Sequence, residues 1–351
     1  MKYRNLGKSG LRVSVLSFGS WVTFGNSVDK NLSKDMIKFC YDNGVNFFDN
    51  AEGYEHGNSE RVMGQAIKEL GLSRDTFTVS SKVFFGSLND NEIENSENIV
   101  KGFQHWTSNT PTRVGLNRKH IKEACNQALT RLQVNHLDLY FCHRPDIYTP
   151  VEEIVRAMTE LIYAGKIMYW GTSEWPAQRI MEAHMCARQY NLIPPTMEQP
   201  QYNMFTREKV EKEYARIYSH VGLGTTVWSP LASGILTGKY NEGIPSGSRL
   251  DDPKFKPIKD RMIADPDYNN KIEKVKKLTE IANELGCSMS QLAIAWSIKN
   301  PNVSTTILGA SKLTQLQETL KAIDFVSKID QEIDSKIEEI LNNKPLISDF
   351  D

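Results

Sequence analysis

Short apolar runs alternate with longer stretches of helical periodicity along this chain, and the alternation repeats eight times. The runs are Val13–Phe18, Val45–Asp49, Thr78–Val83, Leu137–Cys142, Ile167–Gly171, Thr196–Gln199, Thr225–Trp228 and Thr305–Leu308. They are rich in Val, Ile, Phe and Tyr and bounded by Gly, Pro or Asn, which marks them as strands. Between them, Lys34–Asn43 is predicted as a helix capped by Ser33 and stopped by Gly44. Glu60–Leu70 is predicted likewise, with Ser59 as cap and Gly71 as stop. Arg118–Leu132 sets Ile121, Ala124, Cys125, Ala128, Leu129 and Leu132 on one face. Glu152–Ala164, Ala177–Tyr190 and Arg207–Val221 extend the pattern.

Sustained strand–helix alternation predicts parallel strands with right-handed crossovers. The expected class is therefore α/β, closed into a (β/α)8 TIM barrel. An open doubly wound sheet is the alternative. Against it, LSFGSWVTFG after the first run only loosely imitates GxGxxG. Three segments exceed what a barrel needs. Tyr3–Arg12, with its Gly7–Gly10 turn, is predicted as a hairpin plugging the barrel floor. Phe85–Asn117 is a long polar connection after the third strand, with Asn89, Asp90, Asn91, Glu92 and Glu94. Ala232–Asn270 follows the seventh strand and is rich in Gly, Pro and Lys. Barrel sites lie at the C-terminal rim, so these last two are candidate lids. No repeat or domain boundary is visible, and residues 1–351 are read as one domain.

Composition acts mostly by exclusion. The chain of 351 residues suits one decorated barrel. Its 42 basic and 43 acidic residues leave a net charge of −1, with no block of one sign, which argues against nucleic acid or an acidic membrane as partner. The cysteines Cys40, Cys125, Cys142, Cys186 and Cys287 are scattered, without CxxC or other metal spacing, and read as reduced, mostly buried thiols. MKYRNLGKSGLRVS lacks the apolar core of a signal peptide, and no run is long enough to cross a bilayer. The expectation is a cytoplasmic protein without direct membrane insertion.

Candidate chemistry collects just past the second, third and fourth runs. Alone, Asp49 reads as a turn carboxylate, Tyr54 as an amphipathic loop residue and His143 as a structural hydrogen-bonding group. Lys82 at the end of a core strand needs a carboxylate, and Asp49 is the obvious one. Adjacent barrel strands converge on one rim, and there the four together form a proton donor for carbonyl reduction. Lys82 is expected to lower the Tyr54 pKa, Asp49 to hold Lys82 charged, and His143 to fix the substrate oxygen. None of them can supply a hydride, so a nicotinamide cofactor is required. HExxH, GxSxG and a P-loop are absent from the sequence. Glu52 and Glu55 flank Tyr54, which leaves a paired-carboxylate glycosidase as a minor reading.

With these residues in view, the sequence resembles the aldo-keto reductases, and among them the voltage-gated potassium channel β subunits and their microbial relatives. The resemblance rests on YRNLGKSGLRVS, WVTFG, YDNGVNFFDNAEGY, SSKV, HRPD, GKIMYWGTSEW, EQPQYN, WSPLASGILTGKY and ILGAS, in that order over nearly the whole chain. It implies a catalytic tetrad of Asp49, Tyr54, Lys82 and His143. Channel β subunits carry Asn at the last position, so His143 favours an active reductase of small carbonyl compounds. It further implies NADPH/NADP+ lying across the barrel mouth. Trp228 would stack on the nicotinamide, Ser173 and Gln199 would hold its carboxamide, and Ser20, Trp21 and Asp49 would line the same floor. Ser229, Pro230, Leu231, Ala232, Ser233 and Gly234 would run under the pyrophosphate, with Lys239 and Arg249 clasping phosphates. Gly309, Ser311 and Gln315 match the pocket for the adenosine 2′-phosphate, and Glu318 an adenine contact. Without that match, Lys239 reads as solvated, Ser311 as a helix cap and Trp228 as core.

This sequence departs from its relatives at three places. Glu174 stands where they have Arg or Asn, Thr319 replaces an Asn, and Phe85–Asn117 is longer, with Phe103, His105 and Trp106 placed to reshape substrate access. The likeness to channel β subunits also implies a homo-tetramer and a channel-like partner, with bound NADP(H) as a redox sensor.

Overall fold

The computed structural model describes residues 1–21, 24, 30–88 and 110–347. A hairpin, β1 (Tyr3–Asn5) and β2 (Arg12–Ser14), precedes eight strands: β3 (Leu16–Gly19), β4 (Phe47–Asp49), β5 (Thr78–Val83), β6 (Leu137–Cys142), β7 (Ile167–Ser173), β8 (Met197–Gln199), β9 (Gly224–Val227) and β10 (Thr305–Leu308). The eight are parallel and closed, each beside its sequence neighbour, with β10 returning to β3. This is the (β/α)8 barrel that the alternation predicts.

Period-two alternation decides what faces the barrel axis. Phe47, Leu139, Phe141 and Met197 point inward and form one buried cluster with Leu6 and Val13 of the hairpin. The hairpin thus plugs the floor, as predicted. Arg4 fastens it there, donating to the carbonyls of Ile298, Asn300 and Val303 at 2.7, 3.0 and 2.6 Å. The outward residues Phe48, Val79, Tyr140 and Cys142 join the larger core beneath the helices. Space inside the barrel is tight. A Cβ on Gly171 would stand 2.3 Å from the Met197 carbonyl oxygen, so only glycine fits there.

The helices flanking the site strands are α1 (Lys30–Asp42), α2 (Asn58–Leu70), α3 (Arg118–Leu132), α4 (Val151–Tyr163), α5 (Ala177–Gln189) and α6 (Ala215–Val221). Gly44 stops α1 with φ 82°, and the bonds from Gly44 N to Tyr41 O (2.9 Å) and Val45 N to Cys40 O (2.9 Å) make a Schellman motif. Gly71 ends α2 with φ 60°. The predicted N-caps are wrong, however. Helix α1 starts three residues before Ser33, and α2 starts at Asn58 after left-handed Gly57, so Ser33 and Ser59 lie inside helices. Both hydroxyls are buried without a hydrogen-bond partner among the described residues. Arg207–Val221 is not one helix either. A π-turn, Lys209–Glu213, precedes α6, and Tyr214 N reaches back to Lys209 O at 2.8 Å.

Of the long segments, Ala232–Asn270 is built from short helices: 3-10 turns at Ala232–Thr237 and Pro253–Phe255, then α7 (Lys256–Ile263) and the start of α8 (Tyr268–Glu284). The core of Phe85–Asn117, residues 89–109, lies outside the described residues, and with it Phe103, His105 and Trp106. Helices α9 (Met289–Lys299), α10 (Leu313–Thr319) and α11 (Gln331–Leu341) close the chain.

One buried ion pair locks α2 and α3 behind the third barrel strand. Arg131 Nε donates to Glu60 Oε2 at 2.6 Å, and Ser81 Oγ donates to Glu60 Oε1 at 2.6 Å. Glu60 is 0% exposed. Breaking one partner of such a pair leaves a buried charge unpaired, at about 3–5 kcal/mol. Arg131→Met is predicted to cost that much, read from urea denaturation, and a second change, Glu60→Leu, to recover a large share. A loss under about 1 kcal/mol for Arg131→Met would contradict the locking role.

Candidate active site

The inward phase of β4 and β5 carries polar residues toward the rim above the Phe47 layer. Asp49 ends β4, and Ser80 and Lys82 face it from β5. The loop after β4 turns at Tyr54, and His143 follows β6 immediately. Lys82 is 0% exposed and its Nζ donates to Asp49 Oδ2 at 2.6 Å, to the Asn50 carbonyl at 2.8 Å and to the Tyr54 hydroxyl oxygen at 3.1 Å. Three acceptors satisfy the three N–H bonds of an ammonium. Asp49 Oδ1 accepts from Ser80 Oγ at 2.7 Å and from Gln199 Nε2 at 3.1 Å. The His143 ring stands edge-on to Tyr54, centroids 5.7 Å apart, and to Phe85, 5.1 Å apart. The structure therefore brings all four predicted residues together.

Electrostatics sharpen this arrangement. Burial pulls the Lys82 pKa down, but the Asp49 charge, Tyr54 and their hydrogen bonds outweigh it and hold the ammonium above its ordinary value. Burial pushes the Tyr54 phenol up, and the lowering effect of Lys82 does not offset it. The expected net fall in the Tyr54 pKa is thus incorrect. Lys82 acts in that direction, but the dry site wins and keeps the phenol protonated. The bond between them uses a lone pair of the Tyr54 oxygen, not its proton. His143 is held well below its ordinary pKa by burial, then by Arg144 and Lys82, so it is a neutral imidazole. Its Nδ1 is buried without a partner among the described residues.

The predicted cofactor residues around the same rim also converge. Ser20 Oγ donates to the Asp49 carbonyl at 3.1 Å, and Ser173 Oγ to the Gln199 carbonyl at 2.8 Å. Trp21 and Trp228 meet edge to face, centroids 6.2 Å apart. Glu174 occupies a left-handed conformation, φ 60°. Its Oε1 accepts from Trp228 Nε1 at 3.0 Å and from Gln201 N at 2.6 Å, and Lys209 Nζ from the π-turn reaches its Oε2 at 2.9 Å. The departure at Glu174 is therefore an anchor for the Trp228 indole, a role that the sequence reading missed.

Beyond β9 the backbone is strained in one place. Ser229, Ala232, Ser233 and Gly234 have φ of 57°, 46°, 57° and 100°. Strain of this kind costs about 1–3 kcal/mol per non-glycine residue and clusters at ligand clamps. Lys239 is exposed and Arg249 half-buried, and the two lie within electrostatic range of each other. Neither has a carboxylate partner among the described residues. Two crowded cations beside a strained turn suit an anionic group, and an open surface at Gly309, where a Cβ would meet nothing within 4 Å, suits a ligand passing over it. The donor set fits a nicotinamide dinucleotide.

At the far end the side chains are committed to the protein. Gln315 Oε1 accepts from Ser311 N at 2.8 Å and Lys312 N at 3.3 Å, and Glu318 Oε1 accepts from Ser288 Oγ at 2.6 Å. Lys312, not Ser311, holds the cap position of α10. Thr319 Oγ1 donates to the Gln315 carbonyl at 2.8 Å. A paired-carboxylate site is not formed, because Glu52 is 1% exposed and holds backbone N–H groups while Glu55 is exposed. Among the described residues there is no cluster suited to a metal ion, and no helix long and apolar enough to cross a membrane.

A closed parallel barrel gathering a buried Lys–Asp–Tyr cluster and a His at its C-terminal rim is the architecture of a barrel oxidoreductase. Residues 15–342 match the model of the Aldo/keto reductase family, and the chain belongs to that family of NAD(P)H-using oxidoreductases. It is 47% identical over 346 residues to a "Probable voltage-gated potassium channel subunit beta" of Arabidopsis thaliana, covering 98% of each chain. The same identity, length and coverage hold for a protein of that name from Oryza sativa subsp. japonica. A "Putative voltage-gated potassium channel subunit beta" of Schizosaccharomyces pombe is 47% identical over 345 residues, covering 98% of this chain and 94% of its own.

His143 sets a pH prediction. Its folded pKa lies below the unfolded value of about 6.5, so the unfolded chain binds the extra proton first. The contribution of neutral His143 to stability is present above pH ~6.5 and is lost as pH falls toward the folded pKa. Imidazole NMR is expected to show His143 uncharged throughout the neutral range; a midpoint at or above 6.5 would contradict the dry, cationic surroundings.

Proposed function

We propose that this protein reduces aldehydes or ketones to alcohols with NADPH, and that Tyr54 is the proton donor. The observation that carries the reading is the Tyr54 hydroxyl oxygen, 3.1 Å from Lys82 Nζ, which itself lies 2.6 Å from Asp49 Oδ2. When bound, the cofactor would supply a hydride to the carbonyl carbon, the C=O π pair moving onto oxygen. That oxygen takes the Tyr54 proton, and the O–H electrons stay on the phenolate beside Lys82. Solvent then returns the proton. Neutral His143 contributes a hydrogen bond to the substrate oxygen without competing as an acid, a role that its buried Nδ1, unpartnered among the described residues, supports. Asp49 is a positioning residue that keeps Lys82 charged.

Trp21, Trp228, Ser173 and Gln199 are read as the nicotinamide end of the cofactor site. The strained Ser229–Gly234 turn with Pro230 and Leu231, together with Lys239 and Arg249, is read as its phosphate clamp. Gly309, Ser311 and Gln315 are read as the 2′-phosphate pocket and Glu318 as an adenine contact, a reading that rests on the resemblance; with Lys239 and Arg249 it favours NADPH over NADH. Free cysteines at all five positions, four of them buried, fit a reducing compartment such as the cytoplasm.

A second reading is favoured by the names of the relatives. A regulatory subunit of a channel-like partner, assembled as a ring of four, would use the same bound cofactor as a redox sensor. Turnover separates the two. Tyr54→Phe is expected to lower kcat for an aldehyde by about 10²–10⁴-fold while NADPH binding, followed by quenching of tryptophan emission, stays unchanged. Unaltered hydride transfer in that variant would remove Tyr54 from the mechanism. Tight NADPH binding with no Tyr54-dependent turnover in the unmodified protein would favour the sensor.

A further inference from the structure

Behind Tyr54 lies a second buried ionisable pair that the proton-transfer chemistry does not use. His120, in the first turn of α3, is 4% exposed and Glu52 is 1% exposed. The Nδ1 of His120 lies 2.8 Å from the Gly115 carbonyl oxygen, and its Nε2 lies 3.3 Å from Glu52 Oε2. A carbonyl oxygen can only accept, so Nδ1 carries a proton. The other nitrogen lies within ion-pair distance of a carboxylate, a placement that favours the imidazolium form. Burial works against the charge, but Glu52, the Gly115 carbonyl and Glu123 outweigh it and raise the pKa above its ordinary value.

The other oxygen of Glu52 is hydrogen-bonded, whereas Oε2 has only the ion-pair approach of His120 among the described residues. Oε1 accepts from Phe84 N at 2.8 Å and from Gly86 N at 2.9 Å. Those two N–H groups bracket Phe85, whose ring lies against His143, with the Arg144 guanidinium 5.9 Å from its centroid. The backbone of Glu52 is tied to the site as well, since its N donates to the Lys82 carbonyl at 3.2 Å. Gly115 returns the contact, its N donating to the Phe84 carbonyl at 2.7 Å. Through Glu52 and Gly115, His120 is therefore linked to the loop that bears Tyr54 and to both ends of the segment that follows Lys82.

We propose that His120 and Glu52 are a pH-sensitive positioning pair that sets Phe85 against His143 and so fixes the wall that the carbonyl substrate meets. This rests on the reductase reading for its consequence, but not for its structural half. Charged groups around the pair are Glu123 on the same helix, Arg131 about three turns further along α3 with Glu60 of α2, and Asp146, which accepts from Leu116 N at 2.8 Å. The imidazole of His120 is the switching group. Its raised pKa means that the grip is complete below pH ~6.5 and is lost as pH rises through the folded value. One ring N–H then disappears, and Glu52 is left without its cation.

The test compares the full-length protein with its Glu52→Gln variant, which keeps an acceptor for Phe84 and Gly86 but removes the charge. Three readouts are followed against pH: the His120 imidazole resonance, a ¹⁹F probe on the Phe85 ring, and the kcat and KM for an aromatic aldehyde with saturating NADPH. In the unmodified protein, His120 should titrate above 6.5. The ¹⁹F signal should move with the same midpoint, and KM should rise roughly tenfold along that curve with kcat nearly constant. In Glu52→Gln, the His120 midpoint should fall and both companion curves should go flat. A wild-type midpoint at or below 6.5, a ¹⁹F signal indifferent to it, or one KM curve shared by both proteins would overturn the proposal. Absence of any aldehyde turnover would refute the reductase reading instead, and the two NMR readouts would still decide the pair.

Discussion

Everything at the rim depends on one constraint: a lysine ammonium buried to 0% exposure inside a barrel must be fully paired. Lys82 meets that demand with three acceptors, one from its facing strand, one from the backbone beyond it and one from Tyr54. Satisfying the lysine fixes Asp49, and fixing Asp49 orders Ser80 and Gln199 through its second oxygen. Tyr54 is drawn in as the third acceptor, so its position follows from the charge balance of the core. A site assembled this way is rigid before any substrate arrives, which is what preorganised electrostatic catalysis requires.

The same dry surroundings explain the protonation pattern. Desolvation favours neutral forms, so His143 loses its charge and Tyr54 keeps its proton, while Lys82 remains charged because its carboxylate is in contact. An acid held in its protonated form, with a cation waiting beside its conjugate base, suits proton donation to a developing alkoxide. Glu174 adds the corresponding order around Trp228. Its carboxylate, neutralised by Lys209, holds the indole of Trp228 in one orientation, and the π-turn in the segment before α6 is what delivers Lys209.

Much of this was legible from sequence because it rests on strong local signals. All eight barrel strands fall within a few residues of the apolar runs, and α3 coincides with the predicted Arg118–Leu132. Period two alone sends Asp49 and Lys82 inward, and the burial penalty for lysine pairs them. What the sequence hid depends on contacts across space. Ser33 and Ser59 look like caps, yet α1 and α2 begin earlier and bury them. The net direction of the Tyr54 shift needs the balance between burial and charge, and no pattern supplies that. Glu52 reads as half of an acid pair with Glu55, but the fold turns it onto His120, 68 positions away in the chain, and onto the amides around Phe85. Glu174 looked like a lost contact until Lys209 and Trp228 were placed around it.

The most direct test of the central claim replaces Tyr54 with a ring-fluorinated tyrosine, whose phenol is markedly more acidic, and follows kcat for an aldehyde against pH. The account predicts that the alkaline loss of kcat moves to lower pH by the difference in phenol acidity, because the proton passed to the substrate is the one on this ring. An alkaline limb that stays where it was would mean that the proton comes from elsewhere, and the buried Lys82–Asp49 pair would then be a structural element of the barrel alone.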